Sequence, residues 1–166
     1  MAAYSTIPKI LQDEIEITDP VTISNVFNKH FTEIGPKLAA QIPTTCAASY
    51  NIPQCNEVFE LHEVTPSQID GLIYKLSTSK ASGLDNIPVR LLKLINFTAV
   101  VSLTHIINLV IRKGIIPADW KCVMVSAIYK HDSKLDLNNY RPISVLPVIS
   151  KIFEKVVFDQ AYAFLT

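Results

Sequence analysis

Proline placement does most to limit what this chain can fold into, because each proline fixes its own φ and removes a backbone donor. Asp19-Pro20 reads as a helix start, with Asp as the cap and Pro at the first helical position. Ile23, Val26, Phe27, Phe31, Ile34 and Leu38 follow at helical spacing, and Gly35-Pro36 is expected to interrupt or end that helix. Thr65-Pro66-Ser67-Gln68 is a capping box ahead of Ile69, Leu72, Ile73 and Leu76. Ile87-Pro88 opens a short helix through Leu91, Leu92, Leu94 and Ile95. Gly114, with Pro117 beyond it, ends a longer helix over about 98–113. Apolar residues fall nearly all round that helix, which predicts burial, with His105 as a core histidine. Pro142 holds Arg141 extended.

The remaining segments separate by pattern. Residues 1–18 show no period and read as a loose arm. Pro43 and Pro53 stand in a Thr/Ser/Ala/Asn-rich stretch that reads as a linker or long loop, with Glu57 to His62 as a short strand within it. The run from Cys122 to Tyr129 is strand-like by length and β-branching. The polar loop Lys130 to Asn139 and a second extended piece around Pro142 complete a hairpin. Ile149, Ile152, Phe153, Val156, Phe164 and Leu165 mark a last helix. The fold class expected is α+β, mostly helical, with a small antiparallel β hairpin.

Composition narrows the function. With 49% hydrophobic residues, the chain has enough apolar side chains for a packed core. No apolar run reaches the roughly 18 residues of a membrane helix, and Met1 to Glu16 lacks a secretory pattern. Cys46, Cys55 and Cys122 stand at no metal-like spacing, so reduced thiols in an intracellular protein, nuclear or cytoplasmic, are expected. The net charge of zero conceals an asymmetry: residues 1–74 carry minus six and residues 75–166 carry plus six. A basic half suits a polyanion partner, and equally suits an acidic half in the same fold. Asp85, Asp119, Asp132, Asp136 and Asp159 are scattered, so no catalytic or metal-binding carboxylate pair is expected. Asp85, in its Gly-x-Asp-Asn loop, reads as a turn residue. Trp120 reads as core or hinge packing, although both it and Tyr140 are of a type that stacks on bases.

Three blocks in order carry a family resemblance. Lys80-Ala81-Ser82-Gly83-Leu84-Asp85-Asn86-Ile87-Pro88, then Ile116-Pro117-Ala118-Asp119-Trp120-Lys121, then Asn139-Tyr140-Arg141-Pro142-Ile143-Ser144 with Ser150-Lys151-Ile152-Phe153-Glu154-Lys155, resemble segments of non-LTR (LINE-type) retrotransposon reverse transcriptases. The helix around Phe27-Asn28-Lys29-His30-Phe31 is similar to the connector that follows the endonuclease in such elements. Asn86 stands where the family often has glycine, and His131-Asp132-Ser133 replaces its usual basic-Gly-Asp. The palm motifs, an aspartate before aromatic and small residues and then aromatic-x-Asp-Asp, are absent. Beyond the loose arm of 1–18, the resemblance runs from about residue 19 to the end and implies a helical connector and Pro-rich linker over 19–64 and the fingers part of a right-hand polymerase over 65–166, incomplete because it stops before the palm.

The activity implied is RNA-directed DNA synthesis with Mg²⁺ and deoxynucleoside triphosphates on an RNA template and DNA primer. Neither cofactor is expected to be held by this chain alone, which is expected to be inactive. The resemblance sets Lys130 and Arg141 at the nucleotide triphosphate, with Lys80, Lys121 and Tyr140 on the template or backbone path. Taken singly, Lys80 and Lys121 read as solvated lysines. A contrasting reading is a non-catalytic helical interaction module or degenerate retroelement remnant, docking a palm or protein partner through the apolar stripes of 23–38 and 149–165.

Overall fold

The computed structural model describes residues 7–43 and 57–166. They form two compact units, Met1–Asn51 with Val125–Ile143, and Ile52–Met124 with Ser144–Thr166. Residues 125–143 therefore group with the N-terminal segment.

In the first unit the stretch expected to be a loose arm contains a hairpin. Strand β1 (Ile10–Gln12) pairs antiparallel with β2 (Ile15–Ile17), Ile10 opposite Ile17. Asp13 and Glu14 make the turn with φ of 50° and 67°, the left-handed pair that two-residue hairpins favour. Asp-Glu is not the usual Asn-Gly signal, and three-residue strands are too short to show a period. Lys9 bridges to Glu16 at 2.9 Å, and the Leu11 N–H donates to the Leu135 carbonyl at 2.9 Å.

Helix α1 (Pro20–Ala39) starts as expected, Asp19 accepting from the Thr22 N–H at 2.8 Å and the Thr22 hydroxyl at 2.6 Å. It does not stop at Gly35-Pro36 but runs through both. Pro36 lies in the last turn, so its missing N–H removes one bond, while its carbonyl still accepts from Ala40 at 3.0 Å. Ile10, Ile23, Phe27 and Tyr140 are the buried centre of this unit, with Phe31, Ala127 and Leu137 packed around them.

The second unit is built on α2 (Pro66–Lys75), α3 (Val89–Leu94), α4 (Asn96–Lys113), the single turn α5 (Ala118–Lys121) and α6 (Val148–Leu165). Both halves of the Thr65/Gln68 capping box are present. Gly114 ends α4 at φ 64°, a left-handed position that suits glycine. Ile69, Ile73, Leu92, Leu103, Ile107, Ile152 and Phe153 belong to one core.

Helix α4 is buried along one stripe, not all round: Phe97 is 95% and Val101 64% exposed, and His105 is exposed. The short apolar length of the neighbouring α2 and α3 covers one side of it only. Residues 57–62 form no strand; in place of a partner strand, the Gln160 side chain accepts from the His62 N–H and donates to its carbonyl, at 2.7 and 2.9 Å. The last turn of α6 leaves Leu165 exposed. Most of the expected linker, with Cys46 and Cys55, lies outside the described residues. Strands β3 (Met124–Tyr129) and β4 (Tyr140–Val145) make the second two-stranded sheet. The whole is mostly helical with two small hairpins.

Candidate polyanion-binding hairpin

The β3–β4 connection is held by its own polar groups. The Lys130 N–H donates to the Asn139 carbonyl at 2.8 Å, closing the hairpin. The Tyr129 hydroxyl donates to the Asp132 carbonyl at 2.5 Å, and Asp132 takes φ 67°. The Asn139 amide donates to the Ser133 carbonyl at 3.0 Å, and Asp136 accepts from the Asn138 N–H at 2.9 Å. The Lys134 ammonium lies 5.4 Å from the Tyr129 ring centroid. His131 and Asp132 contact each other through their side chains.

That closing bond sets Lys130 opposite Asn139, so strand alternation sets Ile128 opposite Arg141. Lys130, Ile128, Asn139 and Arg141 then share one face of the hairpin. Tyr129 and Tyr140 stand opposite one another on the other face, their rings 5.7 Å apart. Lys130 and Arg141 are both exposed, and neither side chain has a partner among the described residues. Ile128 and Ile143 on the same face are 51% and 48% exposed.

Tyr140 is built into the core of the first unit. It is 7% exposed, its ring meets Phe27 edge-on at 4.8 Å, and its hydroxyl donates to the Lys134 carbonyl at 2.7 Å. So buried a ring leaves little surface for a base to stack on. Burial, and then the neighbouring Tyr129, raises its phenol above the ordinary 10.0. A raised folded pKa gives stability that is intact below the unfolded value and lost as pH climbs past it. The first unit is therefore expected to loosen above about pH 10. In a tyrosinate absorbance titration Tyr140 should ionise above the ordinary phenol value, and Tyr140→Phe should shift the alkaline transition upward; an unchanged transition would count against this.

Lys80 and Lys121 lie in the other compact unit, each exposed. Asp85 is a turn residue, accepting from the Ile87 N–H at 3.1 Å, and Asn86 takes φ 54°. Sequence reasoning missed Asn108, which is 9% exposed and grips Val64 with both ends of its amide. It also missed Gly83, against which the Leu146–Pro147 backbone packs. An asparagine among apolar helix positions was the available signal for the first; nothing local marked the second. Among the described residues no three His, Cys, Asp or Glu are placed to hold a metal ion. No helix among them is long and apolar enough to cross a membrane.

Comparison with known proteins bears on the same motifs. An RNA-directed DNA polymerase from the mobile element jockey of Drosophila melanogaster is 34% identical over 101 residues, 60% of this chain and 11% of that protein. This chain is similar to part of a retrotransposon RNA-directed DNA polymerase. A polymerase assigned to the transposon X-element of the same fly is 34% identical over 93 residues, 55% of this chain and 10% of that protein. A 115 kDa protein of a type-1 retrotransposable element is 28% identical over 146 residues, 87% of this chain and 13% of that protein. The matched stretch is thus a small part of each relative's length. No family model matches the chain.

Proposed function

We propose that this chain is the connector and fingers portion of a LINE-type reverse transcriptase, and that Lys130 and Arg141 hold the triphosphate of an incoming deoxynucleotide. The observation that carries the reading is their common exposed face on a hairpin whose opposite face is pinned by Tyr140 in a core. A planar fork and a point charge, both unpaired, are suited to clamp a polyanion. A backbone held by its own hydrogen bonds loses little freedom on doing so. RNA template and DNA primer are the polyanions proposed for the basic half, in the nucleus or cytoplasm. Polymerisation itself belongs to the longer protein in this reading; the 166 residues bind.

The test is calorimetric titration with inorganic tripolyphosphate at low salt. Lys130→Ala and Arg141→Ala should each weaken binding about tenfold, the value of one charge-assisted hydrogen bond, and the double variant about a hundredfold. Lys37→Ala, whose ammonium is paired to Glu33 at 2.8 Å, should bind as before. Equal affinity in the double variant would overturn the assignment.

A second reading, a helical interaction module, has its own observation. The α1 stripe is not free for it, because Ile23 and Phe27 are core. Leu94, Phe97 and Val101 are apolar side chains at 77%, 95% and 64% exposure, of the kind that marks a docking surface. Concentration-dependent association without tripolyphosphate binding would favour it.

A further inference from the structure

A cleft beside α5 and the start of α6, entirely within the second unit, has no part in the clamp. It encloses about 240 Å³. Ile116, Leu146 and Phe153 give it apolar walls, and Trp120 lines it with its indole 5.6 Å from the Phe153 ring. The Ser150 hydroxyl, 3% exposed as a residue, donates to the Trp120 carbonyl at 2.8 Å. That bond ties α5 to α6, so the walls are set before any ligand arrives. Lys121 and Glu154 complete the lining, both exposed and neither with a side-chain partner among the described residues.

A free cation and a free carboxylate at an apolar cleft of this size restrict the occupant. An apolar peptide side chain would fill the walls and leave both charges unused. A nucleotide uses all three features: a flat ring against the indole, a phosphate for the ammonium, and an exocyclic amine for the carboxylate. We infer that this cleft takes one base splayed out of single-stranded nucleic acid, with Lys121 on the adjacent phosphate and Glu154 accepting from the amino group of adenine, cytosine or guanine. The inference rests on the nucleic-acid partner proposed above and adds a site and a base preference to it.

Trp120 is the single tryptophan of the chain, so its fluorescence reports the cleft directly. The full chain is titrated with short RNA homopolymers, following tryptophan emission and probe anisotropy together. Oligo(A) and oligo(C) should quench saturably, and oligo(U), which has no exocyclic amine for Glu154, should bind roughly tenfold more weakly, the lower end for one hydrogen bond to a charged group. Glu154→Ala should erase that preference, whereas Lys121→Ala should weaken all three alike. Binding by anisotropy with neither quenching nor preference overturns the cleft and leaves the clamp standing. Failure of every oligonucleotide, with tripolyphosphate binding also insensitive to Lys130 and Arg141, overturns both. Quenching by N-acetylphenylalaninamide but not by RNA would assign the cleft to a protein side chain and overturn it too.

Discussion

Gly83→Ala should lower the stability of the second unit by about 2–3 kcal/mol, the upper part of the range for overpacking. A Cβ there would stand 2.7 Å from Leu146 C and from Pro147 Cα, and closer still to Pro147 N. All three are backbone atoms at the entrance to α6, so no side chain can swing aside. The loop would have to lift, and with it the contact of the Lys151 ammonium with the Ala81 carbonyl at 3.3 Å. Gly71→Ala is the matched control. Gly71 lies inside α2 with nothing within 4 Å of an added Cβ, so that change should stabilise by up to about 1 kcal/mol. Urea midpoints read both; two shifts of the same sign would contradict the packing described.

Asn108→Ala should cost about 3 kcal/mol. The Asn108 Oδ1 accepts from the Val64 N–H at 2.8 Å and its Nδ2 donates to the Val64 carbonyl at 2.9 Å. Val64 is 6% exposed, so truncation leaves a buried donor and a buried acceptor together, each costing about 1–3 kcal/mol. Hydrogen exchange locates the effect: the Val64 amide should lose protection while the Ile107 amide, next to Asn108 within the α4 ladder, keeps most of its own. Unaltered Val64 protection would show that the amide grip contributes little.

How much of this was legible follows from where each signal is written. The starts of α1 and α2 are local, fixed by Asp19-Pro20 and by Thr65 with Gln68, and both appear where the sequence sets them. The end of α4 at Gly114 is equally local. What neighbouring segments decide was not visible. Burial of one stripe of α4, the strandless course of 57–62, and the core position of Tyr140 all depend on residues distant in sequence. The β1–β2 hairpin was hidden because its turn uses Asp13 and Glu14 at positive φ. At the candidate site, alternation from Lys130 and Arg141 was readable once the hairpin was assumed. Their common face required the bond from Lys130 to Asn139. Retroelement likeness was readable from short ordered motifs, and the relatives carry it.

The most direct test of the clamp is photolabelling with a deoxynucleoside triphosphate that carries its reactive group on the γ-phosphate, followed by peptide mapping. Adducts should fall on the Lys130–Arg141 face, at Ile128, Asn139 or Ile143, and excess inorganic tripolyphosphate should suppress them. Adducts confined to the second unit, or labelling indifferent to tripolyphosphate, would contradict the account.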